Sequence, residues 1–330
     1  MSKITSALLA AGLIVLTASA NAEELNAYTI MPEKYSSQVF AEFTKDTGIK
    51  VNFLRLSSGE ALARLTAEKN RPQVDVMLGG PADTYAAGVK EGVFEAYRPA
   101  GAEALKPEFR DADGYWTGIG IIPLCFLTNQ NFLKKNGMQP PAKWSDLLDK
   151  RYKGQLQMAD ARTSGTATER IYTLVKLMGE DEAFKYQKAL NANVQLYTKS
   201  GAGGAMPVAT GQCASGIFYI VDALDIAQQG YPVTISYPQD GVSFGIEATG
   251  IIKGAKNLDA AKKFVDWATS KKFAEFIVEN KINYVPTRSD VKTTNPILDL
   301  SKINTISVDV QWKGQNRKAF TQRWINEVIK

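Results

Sequence analysis

Four short segments of this 330-residue chain place hydroxyls and glycines together where the backbone should turn. Ser57 and Ser58 lie in RLSSGE, Gly79 and Gly80 in LGGPAD, Ser164, Gly165 and Thr166 in TSGTATE, and Ser200 and Gly201 in KSGAGGAM. The first turn of a helix carries free N–H groups and about half a positive charge, so such residues there can hold an anion. The same residues could simply cap helices. Ser57 with Glu60, and Thr166 with Glu169, both fit the S/T-x-x-E box, in which a hydroxyl and a carboxylate satisfy orphan N–H groups reciprocally. One hydroxyl is enough for a cap, yet TSGTATE brings Thr163, Ser164, Thr166 and Thr168 together. The surplus points to a group outside the chain. No segment matches G-x-x-x-x-G-K-[ST] or G-x-G-x-x-G, so a nucleotide site is not supported.

Three further residues could read the rest of a ligand. Tyr219 and Asp222 follow the apolar start of GIFYIVDALD, and Glu247 interrupts FGIEATG. A charge within an apolar strand is seldom buried alone, so Glu247 is a ligand contact, half of an ion pair or an edge residue. Asp222 is either a contact or the N-cap of the following helix. Tyr219 fits the core, the site or both. Histidine is absent, which excludes Ser-His-Asp and Cys-His catalysis, histidine-ligated zinc and histidine proton relays. Cys125 and Cys213, the two cysteines, form either one disulfide or two buried thiols. No catalytic residue, metal ligand or cofactor is assigned. An enzyme here would need an Asp/Glu pair or a lysine for acid–base work.

The elements that must position these residues alternate. ELNAYTI, KVNFLRL and VDVMLGG are strands, separated by helices over EKYSSQVFAEFTKDTG and SSGEALARLTAEK and followed by a helix over PADTYAAGVKEG. Such alternation gives a mainly parallel sheet with helices on both faces, and ligands of such sheets bind beyond the carboxyl ends of the strands. The extended run YWTGIGIIPLCFLTN then crosses to a second α/β unit, and LDAAKKFVDWATSKKFAEFIVEN reads as one amphipathic helix. The leader MSKITSALLAAGLIVLTASANA has the form of a signal peptide with an A-x-A site ending at Ala22. The 308 residues that remain (330 less 22) exceed the size of a single core. Two lobes are therefore expected, joined by strands that act as hinges. Lobe one takes 23–118 and 223–295, lobe two takes 119–222, and 296–330 packs on both. Lysine and arginine number 39 against 34 acidic residues, without a basic block, so no nucleic-acid partner is expected.

The blocks LNAYTIMPEKYSSQVFAEFTKDTGIKV, RPQVDVMLGG, TSGTATERIYTLVKLMGED and GIIKGAKNLDAAKKFVDWATSKKFAEF, then YVPTRSDV, follow one another in order. This order resembles the bacterial periplasmic solute-binding proteins of the ferric-ion-binding type, receptors of ABC importers. The resemblance implies an α/β, two-lobe type 2 periplasmic binding fold. It also implies a monomer in the periplasm that delivers a small anionic solute to an inner-membrane permease and its ATPase. Iron-binding members carry a carboxylate where this chain has Gly80, and adjacent tyrosines where it has Tyr219 followed by Ile220, Val221 and Asp222. The anion half of the site survives. The implied solute is thus phosphorylated, a sugar phosphate or a phosphonate, with Asp222 and Glu247 meeting its hydroxyls or amine. Ferric iron with a synergistic anion is the alternative.

Overall fold

The computed structural model describes residues 23–330; the leader expected over 1–22 lies outside them. The expected alternation is present: β1 (Glu24–Thr29), α1 (Glu33–Thr47), β2 (Lys50–Arg55), α2 (Ser58–Glu68), β3 (Val76–Pro81) and α3 (Ala82–Glu91). β1 lies between β2 and β3 and runs parallel to both. α1 ends at Gly48 and α3 at Gly92, each with positive φ, a conformation that the absence of a Cβ makes accessible. A short β4 (Phe94–Glu95) follows.

β5 (Thr117–Asn129) is buried along its whole length, as its unbroken apolar run requires of a strand covered on both faces. Beyond it come α4 (Gln130–Asn136), β6 (Leu156–Ala159), α5 (Gly165–Met178), α6 (Glu180–Asn191) and β7 (Val194–Thr198). Next are α7 (Ala205–Ala209), β8 (Ser215–Tyr219), α8 (Ile220–Gln228) and β9 (Val233–Ser236). β6 is parallel to β7 and β8. β10 (Phe244–Ile252) returns between β3 and β5, antiparallel to both. α9 (Leu258–Ala268), α10 (Lys271–Glu279) and α11 (Val310–Glu327) follow. The strand order is β2-β1-β3-β10-β5-β8-β6-β7. β5 joins the halves: Thr117–Pro123 pairs with β10, and Leu124–Thr128 with β8.

β9 pairs with Phe126–Asn129 in the same sheet as β8. Its sheet partner is remote in sequence, so no local pattern shows the pairing. The amphipathic helix over 258–280 is in fact two helices, because the Ser270 hydroxyl accepts the Phe273 N–H at 3.2 Å and starts α10 afresh. α11 packs on α3 from one half and on α5 and α6 from the other. Cys125 and Cys213 are free and buried. Among the described residues no helix is long and apolar enough to cross a membrane.

Candidate functional site

The carboxyl ends of β2, β3, β6, β7 and β8 converge on one small cavity of about 50 Å³. Ten of the twelve residues expected from the sequence line it: Ser57, Ser58, Ser164, Gly165, Thr166, Ser200, Gly201, Tyr219, Asp222 and Glu247. Gly79 and Gly80 do not. They stand behind the wall with φ of 76° and 80°, and a Cβ on Gly80 would come within 2.5 Å of Ile30 Cδ1. The Gly80 N–H is spent inside the protein, donating to Glu247 Oε2 at 2.7 Å.

At one end of the cavity lies the first turn of α5. Ser164 occupies the N-cap position, but no side chain caps the helix. The capping box expected of Thr166 and Glu169 is absent. Glu169 is fully buried on another side, where Lys313 Nζ donates to it at 2.6 Å and the Ser243 hydroxyl donates as well. The orphan N–H groups of a buried helix end need partners, and this turn has none from a side chain. Around it, the hydroxyls of Ser58, Ser164, Thr166 and Ser200 line the same cavity. α2 behaves differently: its Glu60 carboxylate accepts from the Ser57 N–H at 3.1 Å and from the Ser57 hydroxyl at 2.6 Å. The expected box at Ser57 and Glu60 thus keeps its carboxylate half.

Two carboxyls also line the cavity. Glu247 sits on β10, 4% exposed, and its Oε2 also accepts the Tyr284 hydroxyl at 3.0 Å. Burial pushes it up to about 7, against the pull of the Gly80 N–H and the Tyr284 hydroxyl. Asp222 is half-buried in the first turn of α8, whose N-cap is Tyr219. Burial lifts Asp222 to about 7 as well, opposed by the positive charge of Arg55 and reinforced by Glu247. Arg55 and Tyr284 line the cavity and were missed in the sequence. Arg55 ends β2 immediately before the SSGE turn, a position that could have marked it. Tyr284 comes from an irregular segment with no local signal.

Contacts across the mouth show that the halves are closed on each other. The Gly59 N–H of α2 donates to the Thr163 carbonyl at 2.7 Å, and Lys199 pairs with Glu60. A Cβ on Gly165 would lie 2.7 Å from both Pro81 Cγ and Ser58 Oγ. Burial alone would raise Glu60, yet Lys199 and Ser57 hold it down at about 2.

These features define a class: two α/β halves hinged on shared strands, closed over a polar cavity that takes a small solute. Residues 38–305 match the family model described as bacterial extracellular solute-binding protein, and the chain belongs to that family. The fold is that of two-lobe periplasmic binding proteins. The periplasmic binding protein AfuA from Actinobacillus pleuropneumoniae, solved with exogenous fructose-6-phosphate bound, superposes with a TM-score of 0.88 at 33% identity, covering 93% of this chain and 99% of that one. An uncharacterised protein of Haemophilus influenzae is 34% identical over 98% of this chain and 96% of its own. A Fe(3+)-binding periplasmic protein of Serratia marcescens is 28% identical, over 72% and 71% of the two chains. A putative 2-aminoethylphosphonate-binding periplasmic protein of Salmonella paratyphi A is 27% identical, over 76% and 74%. The family resemblance drawn from the sequence therefore holds.

Proposed function

We propose that this chain is the periplasmic solute-binding component of an ABC importer and captures a small phosphorylated solute, a sugar phosphate or a phosphonate. It would deliver that solute, as a monomer, to an inner-membrane permease and its ATPase. The observation that carries this reading is the uncapped first turn of α5, buried and ringed by hydroxyls. A phosphoryl group supplies the acceptors those donors need, and its charge strengthens each bond. Asp222 and Glu247 face the remainder of the solute and suit hydroxyl or ammonium donors. The likeness to a sugar-phosphate-bound structure supports the same chemistry.

The proposed lobes are 23–118 with the return from 244, and 119–243, turning about β5 and the start of β10. Residues 1–22 would be removed before the protein acts.

Ferric iron remains the second reading, because Tyr219, Tyr284, Asp222 and Glu247 share the cavity. Against it, the adjacent tyrosines of iron-binding members are absent, Tyr219 being followed by Ile220, and Gly80 stands where they carry a carboxylate. Native mass spectrometry of protein purified without refolding, with calorimetric titration of fructose 6-phosphate and 2-aminoethylphosphonate, tests the proposal. A retained or titratable phosphorylated solute is expected. A visible tyrosinate-to-iron band on adding ferric citrate, without binding of either organic phosphate, would overturn it.

A further inference from the structure

Behind the anion cradle lies a charged cluster that the sequence reading did not anticipate. Arg317 of α11 is 8% exposed and pairs with Asp83 of α3, which is 1% exposed. The same guanidinium nitrogen donates to Thr168 Oγ1 at 3.3 Å. Thr168 in turn donates to the Gly165 carbonyl at 3.0 Å, and the Tyr219 hydroxyl lies 3.5 Å from that oxygen. The Gly165 carbonyl and the Thr166 N–H belong to one planar trans peptide, so fixing one aims the other in the opposite direction. That direction is out of the N-terminus of α5, toward the cleft.

We propose that Arg317 and Thr168 are positioning residues for the anion cradle. Arg317, anchored on Asp83, holds the Thr168 hydroxyl; Thr168 holds the Gly165 carbonyl and so aims the Thr166 N–H at the bound anion. The proposal rests on the phosphoryl-binding reading of the cleft. Its logic is geometric. A buried ion pair adds little stability over an apolar replacement of the same shape, but it fixes orientation, and buried hydrogen bonds face no competition from water. The relay also spans the molecule. Asp83 belongs to the first half, Thr168 to the second, and the Tyr172 hydroxyl of α5 donates to Asp83 at 3.1 Å. α11 is held close to α3 because a Cβ on Gly314 would sit 2.8 Å from that of Ala86. The cradle donors are therefore aligned through contacts that join both halves.

The test uses inorganic phosphate, which fills the cradle alone, and fructose 6-phosphate, both by calorimetric titration of the mature protein. Thr168→Val keeps the shape and deletes the hydroxyl. It should weaken both anions by about threefold to tenfold, the worth of one neutral hydrogen bond. It should also lower the thermal midpoint, because the Arg317 donor and the Gly165 carbonyl lose this partner, and Thr168→Ser should restore both. Arg317→Lys keeps a charge on Asp83 but loses the planar fork. It should weaken binding similarly, and the double variant should be no weaker than either single one, because the two residues act in series. Losses that multiply in the double variant would overturn the relay. So would an unchanged affinity in Thr168→Val, a measurement that stands even if Arg317→Lys fails to fold. Wild-type protein that binds neither anion would overturn the reading of the cleft and the relay with it. Wild-type binding that Thr168→Val leaves intact would overturn the relay alone.

Discussion

At the scale of single residues, the donors around α5 and the two carboxyls of the cavity make separable predictions. Ser164→Ala should remove one charge-assisted hydrogen bond and weaken binding of a phosphorylated solute by about 1.5–3 kcal/mol, roughly tenfold to a hundredfold in Kd. Because neither Ser164 nor Thr166 caps the helix through its side chain, Ser164→Ala and Thr166→Ala should both leave the empty protein's melting point nearly unchanged. A fall in stability with intact affinity would assign the hydroxyls to the helix instead. Asp222 and Glu247 are raised to about 7 in the folded chain, above the ordinary carboxyl range. Between about pH 4 and pH 7 the folded protein therefore binds more protons than the unfolded one. Their contribution to stability is full below that window and is lost as pH rises through it. Asp222→Asn should therefore favour the closed form over wild type at pH 8 and hardly at all at pH 4. Small-angle scattering of the empty proteins at the two pH values reads the difference, and equal radii for variant and wild type at pH 8 would contradict the raised carboxyl. The site was legible wherever composition was odd for its element, as in the hydroxyls of TSGTATE or the lone charge of FGIEATG. It was not legible where a residue arrives from a distant irregular segment, as Tyr284 does.

At the scale of elements, α2 and the turn before α5 meet across the mouth of the cleft, and Gly59 is what allows the approach. A Cβ there would lie 2.5 Å from the Arg162 carbonyl oxygen and 2.9 Å from Thr163 Cα, both backbone atoms. Alanine is nevertheless the better helix former, by up to about 1 kcal/mol. Gly59→Ala should thus leave the empty protein as stable as wild type or slightly more so, while weakening solute binding about tenfold or more. Titration together with thermal melts separates the effects. Unchanged affinity would mean that this contact is not part of the bound state. The early strands and helices could be read because each is specified locally, by periodicity and by terminators such as Gly48 and Gly92. β9 could not be placed, since its partner Phe126–Asn129 is chosen by the sheet and not by its own residues. The break between α9 and α10 depends on one serine within a continuous apolar stripe, and the stripe hides it. The box at Thr166 and Glu169 failed for a third reason. Glu169 finds a stronger partner in Lys313, far along the chain, than in the orphan N–H groups beside it.

At the scale of the whole molecule, the question is what holds the halves together. Several contacts join the halves: the backbone hydrogen bond between Gly59 and Thr163, and the pair of Lys199 with Glu60, in which the lysine is 71% exposed. The Asp225 carboxylate of α8 accepts Lys34 at 2.9 Å and the Tyr35 hydroxyl at 3.1 Å from α1, and the Tyr172 hydroxyl donates to Asp83. An exposed ion pair contributes about 0–1 kcal/mol and a single hydrogen bond about 0.5–1.5 kcal/mol. Closure also buries the orphan N–H groups of α5, which cost about 1–3 kcal/mol each without an acceptor. An anion that satisfies those groups therefore shifts the balance toward the closed cleft. The hinge for this motion is β5 with the start of β10, strands continuous through both halves, while α11 bridges the same halves from α3 to α5 and α6. The expected outcome is a fall in radius of gyration, by small-angle scattering, when fructose 6-phosphate saturates the protein. The accompanying rise in stability should be about 2.7 kcal/mol at a hundredfold excess over Kd. Equal radii with and without a ligand that demonstrably binds would mean that the protein is already closed when empty. In that case the free donors of α5 would have to be satisfied by water rather than by the solute.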